Sequence, residues 1–548
     1  VSAVRARELR RVGTRALLVA GRDLPDVLAL HARLRAAPLA GQTEVLAAAE
    51  TMLVSFVRRA DALAAASVLP TLQTGSGRQE TPRTVDIDVV YDGEDLDDLA
   101  HALGMEPETL VAAHTAAPWR GAFGGFAPGF TYCASETERL WDRDVPRRDS
   151  PRTAVPAGSV AVAGRFSAVY PRSSPGGWQL LGRTPAAMWD LSRPFPALVR
   201  PGDRVRYRAV RASARLRRPP AAPPADRTPV PATAPALEVE DPGLLTLVED
   251  LGRPGAADLG VPPSGAVDLP SARAANRLVG NPATAAVLET LLGGLVLRAR
   301  GPLVLALTGA DAPGTITGAD GTARSAPPRR AVGLDDGETL RLGAPHAGLR
   351  TYVAVRGGVE VAAELGSRAS DTLSGLGPAP LAAGTRVGIG STAHLAAVAG
   401  APAPAPARTL PAAGGTSSLR LVLGPREDWI REDWDGGALA VLAGQDWRVS
   451  TQADRVGVRL HPGPGGRPLP RRPGELASEG VVTGAVQVPP SGEPVLFLAD
   501  HPVTGGYPVV GVVVDDDLPL AAQLPPGALV RLVPVDPDTL APLAAPRA

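Results

Sequence analysis

GGFAPGF, residues 124–130, followed by TYC at 131–133, is the stretch on which the reading of this chain turns. Three glycines, one proline and two phenylalanines in seven residues exclude a helix interior, which Gly and Pro both oppose. The segment reads as a rigid turn that brings backbone close to something, with aromatic rings as walls. Two companions share its chemistry: SPRTAVPAGS at 150–159 and YPRSSPGGW at 170–178. Strand-like segments at 159–162, 166–170, 179–182 and 203–210 alternate with Gly/Pro turns, the pattern of a barrel or sandwich.

Upstream the pattern changes. ALLVA at 16–20 reads as a strand and 23–36 as a helix, with Leu24, Val27, Leu28, His31 and Leu34 on one face. Apolar stretches at 45–49 and 52–57 follow. Asp61 is placed to cap a helix toward Leu69, closed by Pro70, and VDIDVVY at 85–91 reads as a strand. The order β-α-β-β-α-β predicts a small ferredoxin-like α+β unit. Short helices at 95–103 and from Pro107 come next, the second carrying Leu110 and His114 on one face.

A chain of 548 residues exceeds one core and implies three or four domains. Acidic and basic residues balance at 56 each, which argues against a nucleic-acid partner. Every cationic residue is Arg. Without lysine there is no Schiff base, no P-loop lysine and no covalently attached biotin. Cys133 is the single cysteine, so no intrachain disulfide and no Cys-based zinc site is expected, and no metal ligands are assigned. The first residues show no signal-peptide apolar region, and no apolar run approaches the ~20 residues that span a bilayer. The expectation is a soluble, cytoplasmic protein with no membrane partner.

Residues 212–236 are rich in Ala and Pro with no packing periodicity, a linker whose shortening, lengthening or cutting should be tolerated. The second half opens with 244–251 and GRPGAADLGVPPSGAVD at 252–268. A helix runs from Pro270 to Gly280, Asn281-Pro282 is expected to start another, and β-rich sequence fills 294–396. The resulting division is 1–84, a small α+β domain; 85–211, a β domain; 212–236, a linker; 237–400, a β domain; 401–416, a second linker; and 417–548, a last β domain.

GFAPGFTY, SPRTAVPAGSVAVAG and YPRSSPGGWQLLGRTP resemble the B-type subunit of 5-oxoprolinase, also called allophanate hydrolase subunit 1 or the Kip inhibitor family. GRPGAADLGVPPSGAVD, RAANRLVGNPATAAVLE, AVRGGVEVAAELGSRASDTLSGLG, SEGVVTGAVQVPP and TGGYP resemble the C-type subunit of 5-oxoprolinase, the allophanate hydrolase subunit 2 or biotin-dependent carboxyltransferase-like family. The resemblance covers about residues 12–534 apart from the linkers and implies a fusion of the two. It departs where Val509 and Val510 replace the usual Lys and Ile, and where Cys133 replaces a leucine. It implies an α+β, predominantly β architecture: a ferredoxin-like N-terminal domain followed by three cyclophilin-like β-barrels. It further implies hydrolysis of 5-oxoproline to glutamate with ATP and Mg, together with a separate protein, the A-type subunit of 5-oxoprolinase. A five-membered lactam is a poor electrophile, and phosphorylation of its carbonyl oxygen creates a leaving group. Urea- or amide-directed carboxyltransferase activity with a separate biotin carrier, and Kip-type regulation of a histidine kinase, are the alternatives.

Candidate catalytic residues are His114, Glu479, Gln487, Asp500 and His501. His114 reads equally as a general base or as a helix-face histidine in a polar niche. Candidate substrate contacts are Phe126, Pro128, Gly129, Phe130, Arg152, Tyr170, Gly176 and Gly177 in the first half. In the second half they are Glu427, Asp428, Thr504, Gly505, Gly506 and Tyr507. Arg152 and Tyr170 suit an anion, although Arg152 also reads as a structural ion pair; Asp371 reads as a turn or cap. The adjacent glycines 505 and 506 are expected to permit an approach that a Cβ would block, with Asp500 and His501 at the mouth of that turn.

Overall fold

The computed structural model describes residues 6–74, 83–135, 145–148, 150, 152–211, 234–404, 409–430, 437–474 and 476–543. Most of the expected first linker (212–233) and part of the second (405–408) lie outside them. The described chain is predominantly β, with barrel-like sheets and few helices.

The first sheet has four antiparallel strands in the order Leu9–Val12, Ala16–Ala20, Thr51–Phe56, Gln42–Ala47. ALLVA is apolar throughout because both its faces are buried. Leu17 and Val19 join the core formed with helices Leu24–Ala36 and Arg59–Val68, while Ala16 and Leu18 pack on Val481, Phe497, Val509 and Val512 of the last domain. Asp23 caps the first helix, its side chain accepting from the Asp26 N–H at 2.8 Å.

Three expectations are corrected here. The strand expected at 85–91 does not close this sheet. Thr84–Val89 instead runs parallel to Arg204–Ala209 in a second sheet, and Leu9–Val12 takes the place beside Ala16–Ala20. A hairpin through Gly13, at φ 64°, makes that pairing local. Asp61 does not cap the second helix. It lies within the first turn and pairs with Arg58 at the cap position, at 3.0 Å. Asn281-Pro282 starts no helix: the Asn281 amide is held by Val355 and Asn276, and strand Val287–Leu291 begins shortly after.

The second sheet orders seven strands as Gln179–Arg183, Ser159–Ala163, Phe166–Val169, Thr131–Ser135, Trp119–Gly124, Arg204–Ala209, Thr84–Val89. Beyond the linker, a seven-stranded and a five-stranded sheet enclose Leu237, Leu297, Leu305, Ile316 and Val353. Helix Leu269–Leu278 covers the five-stranded sheet through Ala272, Ala275 and Leu278. The last domain is a closed barrel of Thr416–Leu423, Val509–Val513, Ala485–Gln487, Val495–Phe497, Gly457–Pro462, Trp447–Val449 and Leu529–Pro534.

A candidate active-site seam between the two halves

The backbone approach foreseen for GGFAPGF is made onto the other half of the chain. Phe126 holds a left-handed φ of 62°, uncommon for a side chain with a Cβ, and its N–H donates to Thr504 Oγ1 at 3.0 Å. The Gly129 N–H donates to the Leu259 carbonyl at 3.0 Å. A Cβ on Gly124 would collide with the Asp258 carbonyl oxygen, and one on Gly125 with the Thr504 side chain. Gly260, at φ 76°, sits equally close to the Ala127 carbonyl from the opposite side. Glycine on both sides lets the two backbones touch.

Behind this contact lies an aromatic cluster. The Phe130 ring stands edge-to-face to Phe126, Tyr132, Tyr170 and Trp178, with centroids 5.2, 5.1, 5.3 and 5.5 Å away. Pro128 is buried in the same turn. The Tyr132 hydroxyl faces Ser478 and Thr504 across the seam, and the Tyr170 hydroxyl faces the Trp178 backbone. Burial pushes both phenols above their ordinary range, so they stay protonated and act as hydrogen-bonding groups. Gly176 has no Cβ because the Tyr170 hydroxyl occupies that place, and the Gly177 carbonyl accepts from the Arg148 N–H. Arg147 is exposed beside both tyrosines and lies 3.7 Å from the Cβ position of Gly506.

In the second half, Thr504–Gly505 pairs with Glu479–Gly480, placing Thr504 and Glu479 on adjacent short strands. Glu479 is buried with both oxygens engaged by Arg426, including an Nε–Oε2 contact of 3.0 Å. The Gln487 amide donates to the Tyr507 carbonyl at 3.0 Å, in space left by Gly505; the Tyr507 ring is exposed. Gly506 has a roomier environment than expected. The nearest atom to its Cβ position is the Leu476 carbonyl oxygen at 3.4 Å, so close backbone approach belongs to Gly124, Gly125 and Gly260 instead. Glu427 and Asp428 line a cavity of about 420 Å³ with Arg10 and Arg11 of the first half, and Asp428 Oδ1 accepts from Arg10 Nη1 at 3.2 Å. A second seam cavity of about 250 Å³ is lined by Arg35, Glu44 and Asp258. There Glu44 accepts from the Gly255 and Ala257 N–H groups, while burial pushes its carboxyl up.

Asp500 and His501 are not at the mouth of the turn; both are buried beneath it. Asp500 receives Nε and Nη2 of Arg455, each at 3.0 Å, the Ser264 hydroxyl at 2.7 Å, and the Thr372 N–H and hydroxyl, both at 2.8 Å. Arg455 also reaches Glu289 at 2.6 Å and Glu249 at 3.3 Å. Asp500 therefore ties the last barrel to the β unit before it. His501 Nδ1 faces the Pro502 carbonyl at 2.8 Å, the ring stacks on Phe497, and burial pushes its pKa down.

Two first-half candidates stand apart from the seam. Arg152 pairs with Asp95 at 2.9 Å and Glu94 at 3.0 Å, the structural ion pair. His114 is completely buried, with Nδ1 on the Tyr91 hydroxyl at 2.7 Å and Nε2 on Ser167 at 2.9 Å. Burial depresses its pKa to about 3. The unfolded chain therefore binds a proton below pH ~6.5 that the folded chain refuses, and stability falls as pH drops from there toward 3. The slope expected from this group is about 1.4 kcal/mol per pH unit. Urea melts of wild type and His114→Gln between pH 7 and 5 check it; equal slopes would remove His114 as the cause.

Sequence reasoning missed Tyr132, Arg147, Arg172, Ser478 and Arg253. Tyr132, Arg172, Ser478 and Arg253 lie inside the quoted motifs, so motif membership was the available signal. Arg147 lies outside them, and nothing marked it among the many arginines.

Residues 259–534 match the family model "carboxyltransferase domain, subdomain A and B", and residues 7–199 match "carboxyltransferase domain, subdomain C and D". The chain is 32% identical over 302 residues to the C-type 5-oxoprolinase subunit of Escherichia coli (strain K12), covering 54% of this chain and 90% of that protein. It is 43% identical over 128 residues to the B-type 5-oxoprolinase subunit of Escherichia coli O157:H7, 23% of this chain and 57% of that protein. Urea amidolyase of Saccharomyces cerevisiae is 29% identical over 319 residues, 55% of this chain but 17% of that protein. The crystal structure of TTHA0988 superposes with a TM-score of 0.80 at 37% identity, covering 94% of this chain and 99% of that one. The chain belongs to the carboxyltransferase-domain family and joins, in one polypeptide, a part similar to the B-type and a part similar to the C-type subunit of 5-oxoprolinase.

Proposed function

We propose that this chain is the B- and C-like component of a cytoplasmic, ATP-dependent 5-oxoprolinase, hydrolysing 5-oxo-L-proline to L-glutamate with a separate protein like the A-type subunit of that enzyme. The observation that carries the reading is the seam itself. The Phe126 N–H of the B-like half donates to Thr504 of the C-like half, and Tyr132 faces Ser478 and Thr504 beside that bond. Tyr132 and Tyr170, kept neutral by burial, present hydroxyl groups at that seam, with Arg147 beside them.

ATP with Mg would be the co-substrate of that reaction. Among the described residues no three His, Cys, Asp or Glu are placed to hold a metal ion. The seam glycines turn N–H groups onto protein acceptors: Gly125 onto the Phe130 carbonyl, Gly129 onto Leu259. These residues do not fit a nucleotide site. Among the described residues no helix is long and apolar enough to cross a membrane.

We read the first unit as a variant ferredoxin-like fold, its fourth strand supplied from the N-terminal side, and the three β units as cyclophilin-like. The closed last barrel supports the latter. Carboxyltransfer to urea or another amide with a separate biotin carrier is the second reading, favoured by the similarity to urea amidolyase.

The test is glutamate release from 5-oxoproline and ATP, with and without the A-type partner protein. Release only from the mixture is expected. Full activity of the isolated chain would contradict the division of labour, and biotin-dependent carboxylation of urea without glutamate release would favour the second reading.

A further inference from the structure

The loop 252–268 and the turn 364–377 braid together under the seam and leave two donor nitrogens and one acceptor oxygen unused. Arg253 has no exposed side-chain surface. Its Nη2 donates to the Ala369 carbonyl, while Nε and Nη1 make no hydrogen bond. Asp371 is equally enclosed. Its Oδ1 caps the turn, accepting from the Leu373 N–H at 3.0 Å and the Ser374 N–H at 2.8 Å, so the carboxylate is held rigidly. Its Oδ2 makes no hydrogen bond, with the likewise unpartnered Ser374 hydroxyl beside the carboxyl, and lies 3.9 Å from Arg253 Nη1, too far for a hydrogen bond between them. From across the seam, half-buried Arg172 interacts with Asp371, and its Nη1 comes within 3.5 Å of the Cβ position of Gly375.

A buried guanidinium and carboxylate left short of partners form an incomplete polar network, which demands a third group. That group must accept from Arg253 and donate to Asp371 at the same time. A cis-amide does so, with the carbonyl oxygen and the N–H on one edge. Every lactam of small ring size is a cis-amide, since the ring forbids the trans form. A carboxylate offers no donor to Asp371, and an ammonium offers no acceptor to Arg253.

We propose that Arg253 and Asp371 form a subsite that reads the amide edge of a small lactam: Arg253 Nη1 donates to its carbonyl oxygen and Asp371 Oδ2 accepts its N–H. Arg172 lies beside Asp371 at the edge of this subsite. The proposal rests on the reading that the seam takes a cyclic amide, and adds which residues recognise the amide and by which atoms.

The probes are 5-oxoproline and its N-methyl derivative, which keeps the ring and the carboxylate but cannot donate. Binding of each to the full chain is measured by calorimetry, for wild type, Asp371→Asn and Arg253→Met, with melting curves to confirm folding. In wild type the N-methyl compound should bind at least about tenfold more weakly, because a buried acceptor is left unpaired. In Asp371→Asn, where an N–H₂ replaces Oδ2, that ratio should collapse toward one. In Arg253→Met both compounds should weaken together.

Equal binding of the two compounds by wild type overturns the subsite without needing any variant to fold. So does a ratio that survives in folded Asp371→Asn, or failure of wild type to bind 5-oxoproline. Glutamate release by the wild-type chain with its A-type partner protein separates the two claims. Release without discrimination against the N-methyl compound removes only the subsite, whereas no release removes the reading beneath it.

Discussion

Arg455→Met is expected to cost about 3–5 kcal/mol of stability, the usual penalty for breaking a buried ion pair from one side. Arg455 is 2% exposed and is the shared cation of Asp500, Glu289 and Glu249, none more than 4% exposed. Burial pushes the Glu249 carboxyl well above its usual range, against the pull of Arg455 and with its acidic neighbours adding to the rise. Arg455 and Arg350, the latter 3.5 Å from Glu289, then balance Glu289 and Asp500. Methionine keeps much of the volume but leaves Asp500 in the interior without its cation, with Arg350 alone facing Glu289. The melting temperature should fall by on the order of 10 °C. Arg455→Lys, which keeps the charge but not the fork of donors, should fall between the two. A wild-type melting curve for Arg455→Met would show that the cluster does not hold the two β units together.

The second large effect is expected at Gly260, on turnover more than on stability. Alanine there meets the Ala127 and Gly125 carbonyls of the opposite half and must also hold φ 76°. The backbone strain alone is worth about 1–2 kcal/mol. The collision adds a displacement of the seam, and a shift near 1 Å at reacting groups costs about a hundredfold in rate. Gly255→Ala separates the two causes: Gly255 has φ 88°, but no atom lies within 4 Å of its Cβ position. Gly260→Ala should lose about a hundredfold in glutamate release while Gly255→Ala loses little, at comparable melting temperatures. Equal turnover in both would detach the seam from the chemistry.

The contrast between local and distant structure shows what a sequence carries. Helices Leu24–Ala36 and Pro107–Ala116 were legible from periodicity and first-turn prolines, and the strands around GGFAPGF from alternation between turns. Leu9–Val12 was not, because LRRV carries two arginines on a half-buried edge strand and looks like a polar terminus. The parallel pairing of Thr84–Val89 with Arg204–Ala209 spans 120 residues and leaves no local trace. GGFAPGF announced a close backbone approach but not its target, since Phe126 and Thr504 lie 378 positions apart. Asp500 was legible as important, yet its chemistry was misplaced. Only the fold reveals that Ser264, Thr372 and Arg455 consume every lone pair it would need for a reaction. Arg147 was hidden by abundance in a chain whose cations are all arginine.

Whether the two halves act as one site is tested most directly by separating them. A break placed between residues 212 and 233 yields a B-like and a C-like fragment, each to be purified and mixed with the A-type partner protein, 5-oxoproline and ATP. Glutamate release should need both fragments and should approach that of the intact chain as they associate, with Gly260→Ala in the C-like fragment suppressing the recovery. Release by either fragment alone at the rate of the intact chain would contradict a site built across the seam.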